Sequence, residues 1–208
     1  MSIMGKNSQI YLDDEEKLVL YAIGAVDNSP VKSRIKIQKI MFLISNVFKD
    51  FQDLLHFEPH LFGPYSETLD NVLDSLIRLG YVQSIGSNFR LTSSGLKVYS
   101  SPKPKPELAR VIDDFKLFLN DLSDDEVLAF VYASYPKYIS ESVKWDELKP
   151  RRKDFAISLF RKNKVSFSKA AEIAGLNPME FDILLKNENI RWREIQMIND
   201  LKRYATFV

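Results

Sequence analysis

Apolar residues recur at intervals of three and four along most of the chain, a spacing that predicts amphipathic helices with one buried face. Three such stretches occupy the first part of the sequence, at about residues 14–26, 34–51 and 66–79. Ser66 is placed to cap the third helix, because its hydroxyl can accept a hydrogen bond from a free backbone N–H group. Gly80 marks the end of that helix.

Two short runs of alternating apolar and polar residues follow, at 81–85 and 88–92. Gly86-Ser87 lies between them and can adopt the backbone angles of a tight hairpin turn. A helix followed by a small hairpin is the second half of a winged helix. We therefore predict a winged-helix domain over residues 1–100.

The proline-rich stretch 101–106 is the clearest candidate for a linker. Its prolines stand at every second position, which favours an extended, semi-rigid spacer. Residues 107–208 are predicted to form an α-helical domain. It begins with a helix at about 107–122, and Ser123 with Glu126 has the spacing of a capping box at the start of the next helix.

The second domain also contains the pattern of a helix-turn-helix at about 154–190. Its second helix is capped by Ser166 or Ser168 and ends near Gly175, where glycine permits a sharp turn. Pro178 then stands in the first turn of a third helix, a position that tolerates proline. The predicted fold class is mainly α: an N-terminal winged helix with a small β-hairpin, then an α-helical region that ends in a helix-turn-helix.

The charged residues are unevenly distributed. The chain has a net charge of +1, yet residues 149–208 carry 13 Lys and Arg against 7 Asp and Glu. The strongest attraction for nucleic acid is therefore expected near the C-terminal end. Because no apolar run is long enough to span a membrane and cysteine is absent, we expect a cytoplasmic protein without disulfides.

Two segments resemble known families. KIQKIMFLISNVF, FEPHLFGPYSETLDNVLDSLIRLGYV and FRLTSSG, within residues 12–100, are similar to the winged-helix, Panacea-like domain of uncharacterised prokaryotic regulators and antitoxins. The FGPYS motif at 62–66 is the most specific part. Residues 150–192 resemble small prokaryotic antitoxin-like proteins through Ser168-Lys169-Ala170-Ala171, Ala174-Gly175 and Glu180-Phe181. The resemblances imply transcription control or neutralisation of a partner toxin.

The first functional hypothesis is a DNA-binding transcriptional regulator of a prokaryote that autoregulates a toxin–antitoxin-like operon. Double-stranded DNA is its expected partner, and a homodimer its expected state. The C-terminal resemblance implies that the third helix of the motif presents Asn177, Met179, Glu180, Asp182, Ile183 and Lys186. Phosphate contacts are predicted from the flanking basic residues Arg151, Arg152, Lys153, Arg161, Lys162, Lys164 and Lys169. Arg90 is the best single contact from the wing.

The alternative is an antitoxin-like or adaptor protein that acts by protein–protein contact without reading DNA. The 66–79 helix presents Glu67, Asp70 and Asp74, and these carboxylates would oppose the phosphates of a duplex. We therefore predict that they bind a protein partner, such as a basic toxin-like protein.

Catalysis and cofactor binding are not expected. The sequence lacks a phosphate-cradling glycine loop and the residue pattern of a catalytic triad. His56, Glu58 and His60 alternate as a metal site could require, but no fourth ligand is evident, and no metal is predicted.

Two further patterns leave alternatives open. An aromatic cluster could stack on bases, although core packing is the favoured interpretation; it comprises Tyr132, Tyr135, Tyr138 and Trp145. Residues 192–208 carry apolar residues at helical spacing and would pack either on the tail domain or on a second subunit.

Overall fold

A computed structural model of the chain describes residues 12–100 and 103–191, which its contacts divide into two compact units. Of these residues, the first unit contains 12–57, 66–100 and 103–120. The second contains 58–65 and 121–191. The predicted mainly helical class with a small antiparallel hairpin is confirmed.

The first unit has the element order of a winged helix. Its elements are α1 Asp14–Asn28, α2 Arg34–Val47, α3 Asp50–Leu55, α4 Glu67–Arg78, β1 Val82–Ile85, β2 Asn88–Leu91, α5 Ser93–Tyr99 and α6 Pro106–Asn120. The apolar stripes of α1, α2 and α4 meet in its core, where Val19, Ile40 and Leu73 are all buried. The periodicity of the sequence therefore located the faces that these helices bury.

The hairpin pairs Val82 with Leu91 and Ile85 with Asn88. A third segment joins it, because Val31, between α1 and α2, forms an antiparallel bridge with Phe89. Their backbone N–H groups donate to each other's carbonyls at 2.8 and 2.9 Å. The hairpin is thus hydrogen-bonded to the connection between α1 and α2.

Ser66 caps α4 as predicted, and its Oγ accepts a hydrogen bond from the backbone N–H of Leu69 at 3.0 Å. The same hydroxyl donates to the carbonyl of Leu55. The Gln38 amide exchanges two 3.0 Å hydrogen bonds with the backbone of Ser66. The start of α4 is therefore fixed to both α2 and α3.

Two details differ from the prediction. The helix expected over 34–51 ends at Val47, where Ser45 and Asn46 both donate to the carbonyl of Phe42 at 2.8 Å and compete with the regular helix bonds. The sequence pattern also does not predict α5. Thr92, the last residue of the predicted second strand, is the N-cap of this helix and accepts a hydrogen bond from the N–H of Gly95 at 3.1 Å.

The second unit contains α7 Asp124–Ser134, α8 Trp145–Leu148, α9 Arg152–Arg161, α10 Phe167–Ala174 and α11 Pro178–Asn187, with 3₁₀ turns at Pro136–Ile139 and Lys149–Arg151. The predicted capping box between Ser123 and Glu126 begins α7. Part of the FGPYS motif belongs to this unit. Gly63 has φ +77°, and a Cβ there would lie 2.9 Å from the ring of Tyr132.

The helix α6 packs on α1 and α2 within the first unit. The division into independent domains at 1–100 and 107–208, with a linker at 101–106, stays a prediction. Residues 101–102 and the pattern at 192–208 lie outside the described residues. None of the helices in the described ranges is long and apolar enough to cross a membrane.

Candidate nucleic-acid interface

The helices α9, α10 and α11 pack around a small aromatic core. The rings of Phe160, Phe167 and Phe181 meet edge-on, with centroids between 5.3 and 6.1 Å apart. Ala170 and Ala171 are buried on α10, and their small side chains let α9 approach closely. This is the arrangement of a helix-turn-helix, as the sequence spacing predicted.

The turn between α10 and α11 is built from local hydrogen bonds. Gly175 ends α10 in the left-handed conformation, with φ +72°. Asn177 caps α11 by accepting from the backbone N–H of Glu180 at 2.9 Å, and the Glu180 carboxylate accepts from the N–H of Asn177 at 2.8 Å. The side chain of Asn177, although exposed, therefore already holds the helix start.

One face of α11 forms an exposed stripe, on the side opposite the buried residues Phe181 and Leu185. Met179 is 75% exposed, and Ile183, one turn later, is 52% exposed. Lys186 completes the stripe, and its Nζ lies 2.6 Å from a carboxylate oxygen of Asp182. Five of the six residues that the resemblance places outward are exposed, and Asp182 is half-buried.

Arg152 lies at the C-terminal end of α10. Its guanidinium donates to the carbonyl of Ile173 at 2.8 Å and to that of Glu172 at 2.9 Å. It also lies over the ring of Trp145, 5.3 Å from the centroid. Burial lowers the pKa of Arg152 from its usual value. The sequence predicts a phosphate contact for this side chain, but in the structure it binds the end of a helix.

Four other predicted phosphate contacts form ion pairs. The pairs are Arg151 with Asp125, Lys162 with Glu126, Lys164 with Asp121 and Lys169 with Glu172. Exposed pairs of this kind contribute about 0–1 kcal/mol, so a phosphate can compete for the cation. Lys162 is the exception, because the side chain of its partner Glu126 is only 7% exposed.

The cations most available to a phosphate are Lys153 and Arg161 on α9. Both are exposed. Within residues 12–100 and 103–191, neither makes a side-chain hydrogen bond or an ion pair. Sequence alone could not separate them from their paired neighbours, because pairing depends on which carboxylates α7 brings near α9.

Residues 131–202 match an uncharacterised protein family (UPF0175). That family is associated with toxin–antitoxin systems. The matched segment begins in α7 and contains all of α9–α11, but it covers less than half of the chain. A search of curated proteins found no match. The Panacea-like resemblance of residues 12–100 lies outside the matched segment and stays a prediction.

The predicted wing contact, Arg90, is exposed on β2 opposite Gln83. It borders an open cleft that is also lined by Asn28, Thr92 and Ser93. Its exposed side chain can therefore contact a ligand that approaches this cleft from solvent.

The acidic residues predicted to bind a partner lie on α4. Glu67 is exposed, whereas Asp70 and Asp74 each accept a 2.7 Å hydrogen bond from the guanidinium of Arg34. Burial lowers the pKa of Arg34, but the hydrogen bonds to Asp74 and Asp70 outweigh it and raise the pKa overall. Arg34 therefore offsets part of the negative charge of this face.

The aromatic cluster is largely a packing feature. Tyr132 and Tyr138 are buried, and the Tyr132 ring meets that of Trp145 edge-on at 5.7 Å. His60 stacks on Tyr65 with centroids 4.6 Å apart. In the part of the chain that the structure describes, no group of three His, Cys, Asp or Glu residues is placed to hold a metal ion.

Proposed function

We propose that this protein is a DNA-binding regulator of a toxin–antitoxin-like operon in a prokaryote, acting from the cytoplasm as a homodimer. The observation that carries the proposal is the helix-turn-helix of α9–α11, whose third helix presents an exposed stripe. It lies within a segment with a surplus of basic residues. The match of residues 131–202 to a family associated with toxin–antitoxin systems supports the same reading.

In the proposed complex α11 enters the major groove, and cations on α9 contact phosphates beside it. Lys153 and Arg161 are the first candidates for these contacts, because neither side chain has to break an ion pair with a carboxylate within the described ranges before it binds a phosphate. Arg151, Lys164 and Lys169 would exchange the carboxylates of Asp125, Asp121 and Glu172 for a phosphate. Arg90 would add a contact from the wing if both units reach one duplex.

The test is fluorescence anisotropy of the full chain with a labelled duplex from directly upstream of its own coding sequence, at several salt concentrations. We expect tighter binding than to a random duplex and a steep loss of affinity with salt. The double variant Lys153→Ala/Arg161→Ala should bind more weakly and show a salt slope smaller by about 2.

A matched control removes two exposed cations from the first unit, Lys97→Ala/Arg110→Ala, and should leave binding unchanged. Equal effects of the two double variants would show that only net charge matters. Absence of binding at low salt would contradict the proposal.

The second candidate function is toxin neutralisation by direct contact, which the exposed acidic face of α4 favours. Its test is binding to a purified basic, toxin-like protein from a neighbouring reading frame, and the absence of such a reading frame would count against this function. Glu67→Lys should weaken that complex, because Glu67 is exposed and no ion pair within the described ranges holds it. Glu107→Lys, at an exposed site on α6, is the matched control. Unchanged binding by the Glu67 variant would exclude this surface.

A further inference from the structure

The outward stripe of α11 begins with two side chains that cannot form conventional hydrogen bonds. Met179 and Ile183 lie four residues apart on one helix face and are 75% and 52% exposed. A ligand that covers these two side chains with apolar groups would gain affinity, because it removes their apolar surface from water.

The polar side chains around this stripe already have partners. Asn177 and Glu180 bind each other's backbone at the start of the helix. Asp182 and Lys186 form an ion pair at 2.6 Å. The surface that the first two turns of α11 offer to a groove is therefore mainly a thioether and an aliphatic chain.

The floor of the major groove has one apolar group that such side chains can contact, the C5 methyl of thymine. We infer that Met179 and Ile183 are specificity-determining residues that read thymine methyl groups. This inference rests on the proposed function, because it concerns the same helix. It defines the target chemically, as a duplex with thymine at the contacted positions.

The helix geometry also sets the spacing of the target. Four residues of α-helix rise about 6 Å, which is close to two base-pair steps of about 3.4 Å each. When α11 lies along the groove, Met179 and Ile183 therefore reach thymines about two steps apart. The basic residues on α9 and the apolar stripe on α11 then have separate roles, in affinity and in sequence choice.

The experiment compares two versions of the labelled upstream duplex, one with thymine and one with uracil at every thymine position. Uracil keeps the base-pairing edge and lacks the methyl. For the full-length protein we expect the uracil duplex to bind more weakly, by about fourfold for each methyl group that the protein would otherwise cover. The variant Met179→Ala/Ile183→Ala should bind both duplexes equally.

The variant Lys153→Ala/Arg161→Ala is the matched control. It should weaken binding to both duplexes and keep the thymine-to-uracil ratio of the unmodified protein. If the ratio persists in Met179→Ala/Ile183→Ala, altered DNA shape causes it, and the inference is overturned.

Equal binding of the two duplexes by the unmodified protein would also overturn the inference, while the proposed DNA-binding function would stand. If Met179→Ala/Ile183→Ala instead changes the sedimentation of the protein, with no thymine preference, the stripe is a protein contact. No binding to either duplex at low salt would refute the proposed function itself, and the inference with it.

Discussion

The guanidinium of Arg152 occupies the space that a side chain at Gly175 would need. Its Nη1 lies 2.7 Å from the ideal Cβ position at Gly175, and its other nitrogens bind the carbonyls of Glu172 and Ile173. A cation from α9 therefore closes the C-terminal end of α10, directly before the turn into α11. This contact holds the end of α10 within the second unit itself, without any contribution from DNA.

We expect Gly175→Ala to lower the free energy of unfolding by about 2–4 kcal/mol. The left-handed backbone costs about 1 kcal/mol for a residue with a Cβ, and displacement of the guanidinium adds to it. Gly80→Ala is the matched control, because Gly80 has the same φ of +72° and open space around it. Urea unfolding followed by circular dichroism measures the free energy of unfolding of both variants. Equal losses of stability in the two would show that the Arg152 side chain moves away at no cost.

Arg152→Ala is expected to destabilise the second unit by about 1–3 kcal/mol. It leaves the carbonyls of Glu172 and Ile173 without their charged donor. Lys153→Ala, at the next position and exposed, should change the free energy of unfolding by less than about 0.5 kcal/mol. Any loss of DNA affinity in the Arg152 variant should accompany its loss of stability, whereas the Lys153 variant should lose affinity alone. Equal stabilities of the two variants would contradict the capping role.

Much of the fold was predictable because the deciding interactions are local. Ser66, Ser123, Ser166 and Asn177 each accept a hydrogen bond from the backbone N–H three residues later, and three-residue spacing is visible in a sequence. The apolar periodicity of α4 likewise identified its buried face, whereas α11 buries Leu185 rather than the predicted Leu184 beside Phe181. Both kinds of signal depend on residues less than two helical turns apart.

The state of the individual cations could not be predicted, because it depends on contacts distant in sequence. Lys162 binds Glu126, 36 residues away, and Arg152 binds carbonyls 20 and 21 residues away. A sequence shows that both are basic and close to a helix-turn-helix. It does not show that one holds a buried carboxylate and the other a helix end.

Glu126 links α7 to α9. Its Oε1 accepts from Ser158 and from Lys162, each at 2.6 Å, and its Oε2 accepts from the backbone N–H of Ser123 at 2.7 Å. Burial raises the pKa of Glu126, but the hydrogen bonds from Lys162, Ser158 and Ser123 outweigh it and lower the pKa overall. The carboxylate is thus stabilised in its charged form.

We expect Glu126→Gln to lower the free energy of unfolding by about 1–2 kcal/mol near neutral pH. The contribution of the charge is fully present above the unfolded pKa, about 4.5, and is lost as the pH falls through the lower folded value. The difference between the two proteins should therefore shrink in acid. Glu141→Gln, at an exposed site in the same unit, is the control, and a gap that does not depend on pH would contradict the role of the charge.

Lys116 is buried at the kink that ends α1. Its Nζ donates to the carbonyls of Ile23 and Ala25 at 2.6 and 2.8 Å, where Val26 and Asp27 adopt positive φ and leave the regular helix. Burial lowers the pKa of Lys116 from 10.5 to about 8, although the nearby Asp113 acts in the opposite direction. The carbonyls at the kink are therefore bound by an amine whose pKa burial has moved toward physiological pH.

Between pH 8 and 10.5 the unfolded chain keeps a proton on Lys116 that the folded protein has released. The contribution of this side chain to the free energy of unfolding should consequently rise with pH, by at most about 3 kcal/mol over the whole window. Urea unfolding of the protein and of Lys116→Met at several pH values isolates the contribution of Lys116, because the titration of tyrosines affects both proteins alike. We expect the stability of the protein relative to the variant to increase from pH 7 to 9.5. The exposed substitution Lys97→Met should show no such trend, and a constant difference for Lys116→Met would contradict a folded pKa near 8.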